Sequence, residues 1–281
     1  MNNLPGYREA RRLASTHYEN FPVLSRFIRK ELRDDVAIVY WFARTADDFA
    51  DEGSASEGER LQQLTLFEEQ FRAALAGAPP TALHKALANT IREKRLQPDD
   101  FLALLSAFRQ DVHKKRYRDM EELLDYCSRS ANPVGRIILD LHGIHDESSK
   151  KLSDSICTAL QLTNFWQDVS IDLQKGRIYV PVSFQHEFSL TENDFEPRYP
   201  RQEFKNCMNE LCRLTNNLFA AGKPLIRQLP KPLKYEIAWT LNGGKIILEK
   251  IEKNEYTVAL ERLTLTKIEY LKAAIRAVIH D

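Results

Sequence analysis

An all-α fold, read as a single domain, is what this sequence predicts, on three observations. Apolar residues recur at helical i, i+3, i+4 spacing along most of the 281 residues. Nothing alternates as strands do, and the breaks between periodic stretches are local Gly and Pro corners, with no long linker, low-complexity run or fixed-period repeat.

Taken in order, the first strong pattern covers residues 35–50, DVAIVYWFARTADDFA after Asp34, with Val36, Val39, Tyr40, Phe42 and Ala43 forming its apolar set. Helical patterns follow at 57–76, 81–94, 98–113, 119–129 and 131–143, with the Gly53 to Gly58 stretch and the Gly77 to Pro80 corner as breaks. A pattern over 151–174 should be closed by Gly176, because glycine accepts the left-handed backbone that ends a helix. Further patterns cover 201–228, 231–252 and 264–278, and residues 184–200, with Pro197 and Pro200 and few periodic apolar positions, read as a surface excursion. Gly243-Gly244-Lys245 lacks the rest of a phosphate-binding loop and reads as a helix irregularity. In the last segment, LTKIEYLKAAIRAVIHD, residues Leu265, Ile268, Leu271, Ile275 and Ile279 lie broadly on one side. That side is expected to dock on the body of the domain, with a peripheral membrane-surface contact as the alternative.

Forty Lys+Arg balance forty Asp+Glu, so net charge gives no basis for a nucleic-acid partner. Cys127, Cys157, Cys207 and Cys212 show no C-x-x-C spacing and read as buried, reduced thiols of a cytoplasmic protein. No apolar run approaches the roughly 18 residues of a membrane span, and the start MNNLPGYREARRL lacks the apolar core of a signal peptide, so a soluble protein is expected. The sequence carries no signal of oligomeric state.

Two acid clusters stand out. ARTADDFADE places Asp47, Asp48, Asp51 and Glu52 within six residues, so that Asp47 with Asp51 and Asp48 with Glu52 are like-charge i, i+4 pairs. Each such pair costs a helix about 0.2–0.5 kcal/mol. In NFWQDVSIDLQKGRIYVP, Asn164, Asp168 and Asp172 repeat at four-residue spacing beside Phe165, Trp166, Val169 and Ile171, and at about 100° per residue they share one stripe. A solvated helix end is one reading of such acids. The other is a pair of D-x-x-x-D motifs that hold hard divalent cations, with a diphosphate completing the coordination. No E-x-x-H, H-E-x-x-H or D-x-D-x-D-G pattern offers a competing metal site. Arg44, one turn before Asp47, and Lys175 and Arg177, just after Asp172, are cations placed to hold phosphate oxygens, or else surface charges.

DDFAD (47–51) and NFWQDVSIDLQKGRIYVP (164–181) resemble the two aspartate motifs of the squalene and phytoene synthase family, with HYENFPV from His17, YWFAR ending at Arg44, and YCSRSANPVG from Tyr126 in the expected order. ENFPV together with NFWQD is most similar to the bacterial hydroxysqualene synthase branch of the hopanoid pathway. The resemblance implies an isoprenoid (terpenoid) synthase helical bundle with a central cavity. It implies Mg²⁺ bound by Asp47 and Asp51 from one side and by Asn164, Asp168 and Asp172 from the other, with Asp48 orienting. Arg44, Lys175 and Arg177 would hold the leaving diphosphate, with Tyr179 near its mouth, Gln161 extending the polar stripe, and His17 and Asn20 closing that end. The implied reaction ionises presqualene diphosphate, rearranges the cation and captures it with a water oriented by Tyr126 or Asp111. Condensation of two prenyl diphosphates, as by a presqualene diphosphate, squalene or phytoene synthase, is the alternative chemistry, and a catalytically silent helical scaffold the alternative class. An apolar, dry remainder of the cavity is then required, so that no stray nucleophile meets the cation.

Overall fold

Residues 4–16 and 29–279 are described by the computed structural model, and His17, Asn20 and Phe21 lie outside them. Among the described residues fourteen α-helices follow one another: α1 (Pro5–Thr16), α2 (Arg33–Asp51), α3 (Glu57–Leu75), α4 (Ala82–Lys94), α5 (Pro98–His113), α6 (Met120–Ser130), α7 (Asn132–Leu141), α8 (Glu147–Gln167), α9 (Val169–Gln174), α10 (Val182–Glu187), α11 (Gln202–Gly222), α12 (Leu225–Gln228), α13 (Leu233–Lys253) and α14 (Lys267–Ile279). The one strand-like pairing among them is a parallel bridge between Arg116 and Ile178. By contact, the chain forms two compact units, each built from two pieces: Met1–His113 with Pro133–Glu147, and Lys114–Asn132 with Ser148–Asp281.

In the first unit, side-chain caps fix where helices begin. Ser56 and Glu59 form a reciprocal capping box at α3, and Thr81 accepts from the His84 amide at α4. The core stripe of α2 is Ile38, Trp41, Phe42 and Ala46, whereas Val36, Val39 and Tyr40 are only partly buried. Phe42 sits 5.1 Å, centroid to centroid, from each of Phe67, Phe71 and Phe101, which joins α2 to α3 and α5. Helix α1, which sequence periodicity missed, buries Tyr7, Ala10 and Ala14. A Cβ on Gly6 would stand 2.1 Å from the Ala82 carbonyl oxygen, so only glycine lets α1 meet the start of α4 this closely.

In the second unit, α8 buries Phe165 and Trp166, and the Trp166 Nε1 donates to Thr215 Oγ1 of α11 at 2.9 Å. The Gly243-Gly244 pair is not an irregularity: α13 runs unbroken through it. A Cβ on Gly244 would meet Phe219 at 2.7 Å and Leu160 at 2.9 Å, so that glycine marks a close approach of side chains from α8 and α11. Residues 184–200 are more than a surface excursion. Leu190 and Phe195 are buried, Phe195 packs edge-on against Phe204 of α11, and Arg201 holds the Asp194 carboxyl at about 2, well below its ordinary value. All four cysteines are free and three are buried, which pushes the Cys127 and Cys207 thiols up to about 12. No helix among the described residues is long and apolar enough to cross a membrane.

Candidate active site

The first acid motif closes α2 in the first unit. With Ala46 and Ala50 turned into the core, Asp47, Asp48 and Asp51 are left on its partly exposed side. Arg44 lies among them, its Nη1 3.3 Å from Asp47 Oδ2 and its Nη2 2.7 Å from Asp48 Oδ1, and it also reaches Glu52. The Asp47 carboxyl is raised to about 6, chiefly by burial and also by the like charges of Asp51 and Asp48, with Arg44 opposing the rise. Its side chain still exposes 47% of its surface, so solvent screens much of that effect. Asp111, offered above as a water-orienting group, is partly buried on the last turn of α5 in this unit.

The second motif belongs to the second unit. The expected continuous helix over 151–174 is interrupted at Asp168, whose φ of −100° and ψ of 16° separate α8 from α9. The hydrogen bonds from Asp168 N to Asn164 O (2.9 Å) and from Asp172 N to Asp168 O (2.8 Å) persist, so the four-residue stripe survives the break. Asn164 is exposed and Gln161, Asp168 and Asp172 are partly buried, while Phe165, Trp166 and Val169 face the core. Gly176, at φ +69°, ends α9 as expected, and the chain turns so that Lys175 is exposed and Arg177 buried.

Beside this stripe lies an aromatic group. Phe165 and Tyr179 stack with centroids 3.8 Å apart and planes 8° apart, Tyr117 stacks on Tyr179 at 5.7 Å, and Tyr126 packs 5.6 Å from Tyr117 and 6.1 Å from Phe165. A small, solvent-open recess is lined by Phe165, Val169, Asp172, Arg177, Tyr179 and Phe195, among others, and so carries an acid and a base against aromatic walls. Tyr117 was not expected here. It is placed by the backbone pairing in which Val182 N donates to Tyr117 O at 2.9 Å.

Sequence reasoning also missed Arg262. Its Nε donates to Asp168 Oδ1 at 2.6 Å and its Nη2 to Oδ2 at 3.2 Å, a two-pronged clamp on the central acid of the stripe. The clamp is held in place by the neighbouring residue of the motif: buried Gln167 donates its Nε2 to the Leu263 carbonyl at 2.6 Å. A lone arginine in an aperiodic stretch gives no sequence signal.

The donor set fits a hard divalent cation. Every candidate ligand in both motifs offers oxygen, and the crowded, proton-attracting Asp47 carboxylate is relieved by positive charge. Among the described residues no three acidic, histidine or cysteine side chains converge as a complete metal cage.

The family model described as squalene/phytoene synthase matches residues 14–269. A hydroxysqualene synthase of Rhodopseudomonas palustris is 32% identical over 270 residues, covering 95% of this chain and 90% of that protein, and one of Sinorhizobium fredii is 30% identical over 94% and 89%. The crystal structure of the squalene synthase HpnC from Alicyclobacillus acidocaldarius superimposes with a TM-score of 0.84 at 37% identity, covering 89% of this chain and 94% of that one. Two acid motifs at helical spacing, an aromatic group beside the second, and likeness along nearly the whole chain lead to one conclusion: this chain belongs to the squalene/phytoene synthase family.

Proposed function

We propose that this protein converts presqualene diphosphate and water into hydroxysqualene and diphosphate, with Mg²⁺ as its cofactor. The observation that carries the reading is the Asn164, Asp168, Asp172 stripe running beside the Phe165–Tyr179 aromatic stack, supported by likeness to hydroxysqualene synthases over nearly the full chain. Mg²⁺ held by Asp47, Asp51, Asn164, Asp168 and Asp172 would supply the charge stabilisation that a departing diphosphate needs. The chain's own residues do the rest. Arg44, Lys175 and Arg177 bind and orient the diphosphate oxygens, with Gln161 bonding to water at the edge of the stripe. Tyr117, Phe165 and Tyr179 form an aromatic wall that keeps bulk water from the carbon left electron-poor. Tyr126, packed against that group, is assigned the positioning of the one water that ends the reaction. His17 and Asn20 are assigned to the diphosphate end.

A second reading, condensation of two prenyl diphosphates, is favoured by the description of the Alicyclobacillus relative as a squalene synthase. One experiment separates the two. Purified protein with Mg²⁺ and no nicotinamide is given presqualene diphosphate and, separately, farnesyl diphosphate, and products are identified by mass spectrometry. Hydroxysqualene from the first and no turnover of the second is the expected result, abolished in Asp168→Asn. Presqualene diphosphate formed from farnesyl diphosphate supports the condensing reading, and absence of product from both removes either activity.

A further inference from the structure

Helix α14 docks opposite to the way its sequence suggests. Its buried residues are Ala273 (0% exposed) and Ala277 (6%), whereas Ile268, Leu271 and Ile275 are 67%, 60% and 47% exposed. The inner face is fixed to α13 by polar ties: Trp239 Nε1 donates to Tyr270 O at 3.2 Å, Asn242 Nδ2 to Ala273 O at 3.4 Å, and Lys250 pairs with Glu269 at 3.0 Å. Leu265, just before the helix, packs towards Gly243. The acid of this helix is thus used up on the docked side, and the large apolar side chains point away.

At about 100° per residue, Leu271, Ile275 and Ile268 fall within about 60° of one another on the outward side. Lys267 borders that stripe on one flank and Lys272 and Arg276 on the other, all three exposed. Arg276 is paired with Glu249 at 3.2 Å, but among the described residues neither Lys267 nor Lys272 has an acidic partner. An exposed apolar ridge between unneutralised lysines matches the boundary of an anionic lipid bilayer, where the ridge enters the acyl region and the lysine stems reach back to the headgroups. A second copy of the chain fits less well. A two-fold contact through this face would set its lysines against their own copies.

We propose that the outward face of α14 is a docking surface for anionic membrane. The inference stands on exposure and charge and is independent of which reaction the protein catalyses. The test uses the full chain and vesicles of phosphatidylcholine with or without phosphatidylglycerol, read by flotation. Wild-type protein should float with the phosphatidylglycerol vesicles. The exposed-residue triple variant Ile268→Ser, Leu271→Ser, Ile275→Ser should lose that partition by about tenfold or more. Lys267→Glu with Lys272→Glu should abolish the preference for anionic lipid, and raised salt should weaken wild-type binding. Thermal melts of both variants should match wild type, and if the triple variant fails to fold, the lysine pair and the salt series still decide the matter. Failure of wild type to float, equal flotation with both lipids, or unchanged flotation of the variants overturns the proposal. So does a concentration-dependent dimer in ultracentrifugation that the triple variant abolishes while vesicles capture nothing.

Discussion

Replacing Arg262 with Gln should tighten divalent-cation binding in the absence of substrate. The guanidinium holds both oxygens of Asp168, at 2.6 and 3.2 Å, so an ion that takes either oxygen competes with an existing partner. The pair is partly solvated, with 44% of the arginine and 23% of the aspartate side chain exposed. A pair in that setting is worth about 0.2–1 kcal/mol, which converts to a gain of roughly 1.4- to 5-fold in affinity when it is removed. Loss of a positive charge beside the incoming ion acts in the same direction. Mn²⁺, standing in for Mg²⁺, can be titrated against the protein and its free-ion signal followed by electron paramagnetic resonance. In an Asp168→Asn background the Arg262 substitution should change affinity much less, since the competition it relieves is gone. Weaker or unchanged Mn²⁺ binding in the single variant, or an equal gain in both backgrounds, would refute the argument that Arg262 stands in the ion's place.

Three further outcomes concern the scaffold. Burial raises the Glu236 carboxyl from 4.5 to about 7, so the folded state holds its proton more tightly and stability falls as pH rises through that window. Glu236→Gln should therefore gain about 2 kcal/mol on wild type between pH 5 and pH 8 in urea unfolding, and parallel pH profiles would show the carboxyl to be solvated. Thr215→Val keeps shape but strips the acceptor from the buried Trp166 indole, so it should cost about 1–3 kcal/mol, and a cost near zero would mean water replaces the hydroxyl. Gly222→Ala places a Cβ 2.5 Å from Ile156 Cγ1 and 2.8 Å from the Leu152 carbonyl oxygen, a backbone atom that cannot simply rotate away. A loss of about 1–3 kcal/mol is expected by thermal or chemical unfolding, and wild-type stability would show that α11 slides on α8 at little cost.

The long helices were legible because their apolar residues are large and regularly spaced, and the acid stripe because i→i+4 geometry follows directly from the helical repeat. What escaped the sequence did so for identifiable reasons. Helix α1 buries mostly alanines, which carry little hydropathy contrast. The break at Asp168 is a backbone torsion of one residue, with the hydrogen bonds around it intact. In α14 two stripes have helical spacing, Ala273 with Ala277 and Ile268 with Leu271 and Ile275, and hydropathy favours the wrong one. Close approach to α13 selects small side chains at the contact, a preference that only the partner helix reveals. Arg262 and Tyr117 reach the candidate site through pairing of loops distant in sequence, which periodicity cannot register.

The interleaving of the two units bears on how the protein is made. Neither unit is a contiguous stretch: Lys114–Asn132 belongs with the C-terminal half, while Pro133–Glu147 returns to the N-terminal one. A ribosome extrudes α6 before α8 to α14 exist to receive it, whereas the N-terminal unit is complete as soon as α7 and the residues up to Glu147 have followed. The first unit can therefore form during synthesis with Lys114–Asn132 looped out of it, and no single cut or gene split separates the two units without leaving that segment on the wrong fragment. The DDFAD acids are synthesised well before Arg262, so the clamp on Asp168 can close only after the whole of the second motif has been made.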